Sequence, residues 1–403
     1  MVGGGQLARM THQAAIALGQ SLRVLAISPD EPAPQVAPDV DLGSHNDLAA
    51  LRAFAAKCDV LTFDHEHVPG EHLRALVADG VVVYPGPDAL LHAQDKLVMR
   101  ERLAAMDVPV PPFAPVTAPD DVVSFGDEHG WPCVLKAVRG GYDGRGVWMP
   151  ATAADARSLT ARLLANGTPL MVEQRVAMRR ELAALVARSP YGQGAAWPVV
   201  ETVQSGGICV EVLAPAPDLP AELADAAQDL ALRVAAELGV VGVLAVELFE
   251  TADGLLVNEL AMRPHNSGHW TIDGAVTSQF EQHVRAVLDY PLGATDPVAP
   301  VAVMANVLGA AQSPSMGVDE RLHHLFARFG QARVHLYGKA ERPGRKVGHV
   351  TVTGRKLAPV RRIASLSAHW LSTGVWADGY DIHGSGQDSS GQHDSAQQGV
   401  EQS

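Results

Sequence analysis

The chain has 403 residues and a formal net charge of −14; that acidic surplus excludes a surface built to neutralise a nucleic-acid backbone, and the length calls for two to four lobes. Hydrophobic residues make up 47% and aromatics 5%, which favours α/β architecture packed with small side chains. Cys58, Cys133 and Cys209 lack metal-type spacing, and no apolar run reaches about 18 residues, so a reducing, cytoplasmic setting without a membrane span is expected.

Residues 1–92 alternate short apolar runs (LRVLAIS, DVLTFD, VVVYPG) with helical patterns (DLAALRAFAAKC, GEHLRALVADG). This predicts a parallel, Rossmann-like sheet that binds ligands at the carboxyl ends of its strands. The opening GGGQLARM sets Gly3, Gly5 and Ala8 in a G-x-G-x-x-A pattern. Ser28 and Pro29 stand where a dinucleotide site needs an acid, and no full strand precedes the glycines, so a nicotinamide site is disfavoured. A phosphate at the following helix N-terminus remains compatible. Asp64, His65, Glu66 and His67 end a strand. Zinc would need a third ligand from elsewhere, so Glu66 is read as a ligand-binding carboxylate.

The stretch DALLHAQDKLVMRERLAAMDVPVPP reads as one amphipathic helix ending in a proline-rich connector. A lobe at about residues 115–172 follows, carrying LKAVRGGYDGRGVW. Four glycines in seven residues are costly to order, which points to a close approach by something else. Their peptide N–H groups can fold around a polyphosphate, with Lys136, Arg139 and Arg145 offsetting its charge; a hinge or tight turn is the plain alternative.

Four strand patterns (LMVEQRV, LAALVAR, WPVVETV, ICVEVLA) precede a long helix, PAELADAAQDLALRVAAELG, with Gly239 past its end. The hairpin VGVLAVELFETADGLLVNELAMR comes next. With ADG as a three-residue loop, Glu247 falls opposite Glu259. Two facing carboxylates repel unless a cation lies between them, and Mg²⁺ suits a pair of carboxylates plus phosphate oxygens. Solvated charges on an open face are the alternative. Beyond the hairpin, Arg263, His265, Asn266, Ser267 and His269 crowd together in RPHNSGHW, a donor-rich run suited to a hydroxylated or anionic ligand.

Residues 296–380 read as a small β-rich lobe with a basic cluster, Lys339, Arg342, Arg345 and Lys346, around a Pro-Gly turn. The cluster suits a phosphate monoester or forms a solvated turn. Residues 381–403, rich in Gly, Ser and Gln, are expected to be a disordered tail.

Together the segments GGGQLARM, DKLVMR, LKAVRGGYDGRGVW, VEQRV, RREL, AVELF, VNELAMRPHNSGHW and RPGRKVGH resemble the ATP-grasp superfamily and, within it, the N5-carboxyaminoimidazole ribonucleotide synthetase family of purine biosynthesis. The resemblance spans nearly the whole chain short of the tail. It implies an α/β ATP-grasp fold: an N-terminal domain over residues 1–92, an ATP-grasp domain over residues 93–295 and a C-terminal domain over residues 296–380. The implied activity uses ATP and bicarbonate to carboxylate 5-aminoimidazole ribonucleotide through carboxyphosphate, in a cytoplasmic homodimer with two Mg²⁺ ions.

By the same resemblance, Lys96, Lys136, Gly141, Tyr142, Asp143, Gly144, Arg145, Gly146 and Val147 hold the nucleotide and its phosphates, residues 140–146 forming a lid. Glu173, Gln174, Arg175 and Val176 line the adenine slot, and Glu181 bonds the ribose. Glu247 and Glu259 hold metal, and Asn258 and Glu259 also bind the nucleotide. Gly5, Gln6, Leu7, Glu66, His265, Asn266, Ser267, Lys339, Arg345 and Lys346 bind the ribonucleotide, and Tyr142, Arg263, His265 and Asn266 act in catalysis by positioning.

The chain departs from the family pattern in three places. Met1 and Val2 are all that is present of the apolar strand before GGGQL, so either the start lies upstream or this form lacks the sheet's first strand and is less stable. Met262 replaces a proline, and Thr202 and Gln204 replace an Asn-x-His pair. Other ATP-grasp ligases share the phosphate and metal apparatus and differ in acceptor. A dehydrogenase leaves Glu247 and Glu259 unexplained, and a non-catalytic nucleotide binder leaves the complete residue set without a purpose.

Overall fold

The computed structural model describes residues 1–141 and 146–381. The tail expected from residue 382 and the lid residues Tyr142, Asp143, Gly144 and Arg145 lie outside the described residues. In the N-terminal part, strands β1 (Val24–Ala26) and β2 (Val40–Leu42) pair in parallel. Val2 bridges Leu25 on one side and Phe63 on the other, and Leu61 bridges Val83, all parallel. Val2 N–H donates to the Thr62 carbonyl at 2.8 Å and Met1 accepts from Leu25 at 3.0 Å, so both residues take part in this sheet. The helix Leu48–Ala55 starts where Asp47 accepts from Ala49 and Ala50. It buries Leu51 and Phe54 against Leu61, Phe63, Leu73 and Leu76, each removing an apolar side chain from water for roughly 2 kcal/mol.

The single helix expected over residues 88–105 is two, Pro87–Gln94 and Lys96–Ala105, broken at Asp95. Asp95 adopts an extended backbone and its carboxylate accepts from Val98 N–H at 3.1 Å. A side chain that satisfies an orphan N–H starts a new helix better than it continues an old one. The break also aims the second helix, because Lys96 N–H donates to the Val138 carbonyl at 2.9 Å, at the root of the glycine segment.

The next lobe is an antiparallel sheet of β3 (Phe113–Val116), β4 (Val134–Ala137), β5 (Val147–Trp148) and β6 (Leu170–Glu173), in the order β3-β6-β4-β5. Helices Pro119–His129 and Ala153–Ala165 close its core around Val122, Phe125, Leu135 and Val172.

The remaining strands form one nine-stranded antiparallel sheet among the described residues. They are β7 (Arg180–Arg188), β8 (Gly194–Ala196), β9 (Val200–Ser205), β10 (Ile208–Ala214), β11 (Gly242–Glu250), β12 (Leu255–Ala261), β13 (Val301–Leu308), β14 (Arg333–Leu336) and β15 (Lys346–Gly354). The order is β12-β11-β7-β9-β10-β13-β15-β14, with β8 beside β7. The β-rich C-terminal stretch therefore joins the central sheet through the β10–β13 pairing while keeping its own core, Val303, Val350, Val360 and Trp370, under the helix Leu357–Thr373. The helix Ala221–Glu237 ends as its sequence predicts, with Gly239 in the left-handed region at φ +65°.

The hairpin reaches the expected opposition by a different route. Glu250 pairs with Leu255, so the turn spans four residues, 251–254, and the register is one residue short of the three-residue expectation. A bulge between the Glu247 and Leu248 pairings then takes up Asn258 as an extra residue and restores Glu247 opposite Glu259. The bulge turns Asn258 toward the same side as the two acids: its side-chain Nδ2 lies 3.5 Å from Glu247 Oε2 and its Oδ1 3.4 Å from Lys136 Nζ.

Candidate active site

A continuous run of charged side chains crosses the junction of the three sheets. Glu66, at the open end of the parallel sheet, accepts the Met262 N–H at 2.9 Å and pairs with Arg263 at 3.1 Å. Two residues on, His265 Nε2 faces Glu247 Oε1 at 3.3 Å. Across the hairpin, Glu259 pairs with Lys96. Beyond it Lys136 meets Glu173 at 2.6 Å, and Arg100 reaches Glu173 at 2.6 Å and the Asn258 carbonyl at 2.7 Å.

The acid pair is split electrostatically. Burial, then Glu259 and Glu181, push the Glu247 carboxyl up to about 7. Burial would raise Glu259 as well, but Lys96, Lys136 and Arg100 outweigh it and hold Glu259 below the usual carboxylate range. Without a cation, one acid of the pair is therefore a proton acceptor near neutrality. Glu173 is pulled down the same way, burial being outweighed by Lys136 and Arg100. Oxygen donors only, two of them carboxylates and one repelled by its neighbours, fit Mg²⁺, and Glu247, Glu259 and Asn258 are the residues that would hold it.

His265 is neutral. Burial, then Arg263 and Lys346, bring its pKa down to about 3. Its Nδ1 accepts from Ser267, whose Oγ lies 2.9 Å away, so Nε2 carries the proton and points it at Glu247. Asn266 Nδ2 is buried with no protein partner, a donor left for a ligand.

The helix Gln6–Ala17 begins at Gly5, but its N-terminus already holds an anion. Asp64 accepts from the backbone N–H of Gly5 and, at 3.1 Å, of Ala8. Gly3 and Gly5 are glycines because a Cβ at either would lie within 2.8 Å of Asp64 atoms, and at Gly3 also of His65. The glycine pattern thus seats a carboxylate of the chain, where a dinucleotide site would seat a phosphate; Gln6 and Leu7 flank it. Lys339 and Arg263 lie close enough to Asp64 to pull its pKa down against burial, which still wins. Lys339, through its pull on Asp64, and Lys346, through its pull on Glu247 and His265, approach the site from the C-terminal stretch, while Arg345 turns to the Ala340 carbonyl in its own loop at 3.2 Å.

On the nucleotide side, Gly140, Gly141 and Gly146 all have positive φ, and Gly146 accepts from Ala137 at 2.8 Å, closing the stem of the glycine segment beside Val147. Gln174 is tied into its own lobe through Pro112 and His129, with Arg175 exposed and Val176 half-buried beyond it. Glu181 accepts from Gln204, one of the two residues that stand in place of the family's Asn-x-His pair, at 3.2 Å. His45 packs edge-on against His65, yet no cluster of three or more His, Cys, Asp or Glu among the described residues is placed to hold a metal ion.

Sequence reasoning assigned no role to Asp64, Asp95, Arg100 or Gln279. Arg100 had a signal, since it lies four residues after Lys96 and so shares its helix face. Asp64 and Gln279 act through contacts across the fold and had none.

Three family descriptions match the chain: the ribonucleotide synthetase preATP-grasp domain over residues 1–94, the ATP-grasp domain over residues 101–280, and the phosphoribosylaminoimidazole carboxylase C-terminal domain over residues 302–362. The N5-carboxyaminoimidazole ribonucleotide synthase of Mycobacterium tuberculosis is 69% identical over 97% of this chain and 91% of its own length. The chain belongs to the N5-carboxyaminoimidazole ribonucleotide synthase family. The Mycobacterium leprae member is 65% identical over 96% of this chain and 92% of its own length. Among solved structures, the synthetase from Thermus thermophilus matches with a TM-score of 0.81 and 39% identity, over 94% of this chain and 99% of that one. The Aspergillus clavatus synthase in complex with ADP and 5-aminoimidazole ribonucleotide matches with a TM-score of 0.82 and 31% identity, over 92% and 98%. The ATP-grasp fold of this synthase family accounts for the three sheets and for the run of charged side chains at their junction.

Proposed function

We propose that this chain is an ATP-dependent ligase that carboxylates the amino group of 5-aminoimidazole ribonucleotide with bicarbonate, giving N5-carboxyaminoimidazole ribonucleotide, ADP and phosphate in purine biosynthesis. The observation that carries the reading is the opposition of Glu247 and Glu259 across the bulged hairpin, where Lys96, Lys136 and His265 converge.

Bound Mg²⁺, two ions by family resemblance, would offset the charge on the transferred phosphoryl group. Lys96 and Lys136 hold the phosphates from the nucleotide side, and Glu173, fixed by Arg100, keeps Lys136 aimed into the cleft. By family resemblance a lid over residues 140–146 would keep water from carboxyphosphate, the product of bicarbonate attack on the γ-phosphoryl group, and the described root of that segment is tied through Lys96 and Val138. Glu181 takes the ribose, and the Gln174 to Val176 backbone the adenine. The ribonucleotide lies along Gly5, Gln6, Leu7 and Glu66, its phosphate toward Lys339, Arg345 and Lys346. Arg263, His265, Asn266 and Ser267 face its aminoimidazole, and family resemblance adds Tyr142, which lies outside the described residues. No side chain forms a covalent bond, so placement and field carry the catalysis.

The test is ADP formation assayed with 5-aminoimidazole ribonucleotide and bicarbonate together, then with each withheld. Formation that needs both, and that chelation of Mg²⁺ abolishes, is expected; ADP release with glycinamide ribonucleotide and formate instead sinks the reading. Sedimentation tests the homodimer that belongs to the same reading.

A further inference from the structure

Gln279 opens the helix Gln279–Val287 and is fully buried. Its amide closes a two-bond clasp on a single residue: the His265 N–H donates to Oε1 at 2.8 Å, and Nε2 donates to the His265 carbonyl at 2.8 Å. The other amide hydrogen goes to His269 Nδ1 at 2.9 Å. A flipped amide would set donor against donor and acceptor against acceptor, so the network fixes its orientation. The Gln279 backbone N–H is held in turn by Thr271 Oγ1 at 2.9 Å. Gly268 closes the far side, where a Cβ would lie 2.4 Å from Gln279 Oε1 and 2.6 Å from Leu185 Cδ2. The glycine supplies space for the amide there.

We propose that Gln279 is a positioning residue for the carboxylation: by clasping both backbone groups of His265 it holds the Nε2–H edge of that imidazole toward Glu247 and the aminoimidazole half of the cleft. The inference rests on the ligase reading above. A polar side chain buried this completely, all of its bonds spent on one loop, restrains that loop more tightly than apolar packing would, because displacement leaves buried donors and acceptors unpaired. A displacement of about 1 Å in a reacting group costs on the order of a hundredfold in rate.

Gln279→Glu keeps the shape. One carboxylate oxygen still accepts from the His265 N–H, while the other faces two acceptors, the His265 carbonyl and His269 Nδ1, until it or His269 takes a proton. Burial first, then the His265, Lys346, His335 and Arg263 side chains around it, opposes protonation of His269, and its ring lies 5.2 Å from that of His349. Turnover of Gln279→Glu should therefore fall at least about tenfold at pH 8 and recover toward the parent as the pH drops to 6, with the dissociation constant for ADP unchanged. Gly268→Ala, which pushes on the same amide from the opposite side, should lose turnover without that recovery. A Gln279→Glu deficit that is absent, or equal at every pH, overturns the clasp. If the parent itself forms no ADP in response to 5-aminoimidazole ribonucleotide and bicarbonate, the ligase reading has failed instead. The clasp is then judged by nitrogen NMR of the His265 ring at pH 8, assigned with His265→Asn: its resonances in Gln279→Glu should stand apart from those of the parent, and coincident resonances in the two overturn the clasp.

Discussion

Glu259 stands at the point where charge is most crowded, and its environment decides its role. Lys96 and Lys136 keep it ionised while Glu247, opposite, is pushed toward neutrality by burial and by Glu259 itself. The pair is asymmetric before any ligand arrives, with one permanent anion and one acid that a divalent cation would ionise. Glu259→Gln removes the permanent anion and leaves Lys96 without its partner. Turnover should fall by roughly two orders of magnitude or more, with the far-UV circular dichroism spectrum unchanged; a variant as active as its parent would remove this pair from the mechanism.

At the scale of elements, small irregularities do the positioning. The bulge at Asn258 adds a third oxygen-bearing side chain to a face that a regular strand would restrict to two. The helix break at Asp95 ties the glycine segment down: Asp95 pairs with Arg139 at 2.9 Å and forms an isolated bridge with it. Its two jobs separate by substitution. Asp95→Asn keeps a cap for Val98 and loses the ion pair, so stability should change by less than about 1 kcal/mol, since Arg139 is half exposed. Asp95→Ala should lose about 1 kcal/mol more with the cap. Both should raise the KM for ATP several-fold, read from initial rates and urea unfolding of the same preparations. An unchanged KM in both would show that this root does not govern the lid.

Over the whole molecule, the described residues bury several histidines in the neutral form. His283 donates from Nε2 to Thr62 Oγ1 at 2.7 Å and accepts the Val243 N–H at Nδ1, joining the parallel sheet to β11 with no room for a second proton. Burial brings its pKa down to about 4, and those of His65 and His265 to about 3. His269 and His349 are lowered by burial as well. The unfolded chain binds these protons below about pH 6.5 and the folded chain does not, so stability is present above that pH and is lost as the pH falls toward 4. Unfolding free energy measured between pH 7.5 and 4.5 should drop steeply. His283→Gln should flatten the slope by up to about 1.4 kcal/mol per pH unit. A pH-independent free energy across that window would contradict the buried-neutral assignment.

The sequence alone determined what local pattern and chemical type can carry: the alternating elements of the parallel sheet, the helix ended by Gly239, the glycine segment beside Lys136, and two acids facing each other on a hairpin. The last was reached through a turn one residue too short, and the bulge that repaired the register has no local signature. Only the tertiary structure decided that Asp64 occupies the helix N-terminus behind the glycines, that Asp95 breaks a helix to hold a loop, that Arg100 stands behind Glu173, and that Gln279 clasps His265. The reason is the same in each case. These side chains act on partners distant in the chain, and a buried polar group is satisfied by whatever the fold brings within about 3 Å, which neither propensity nor periodicity encodes.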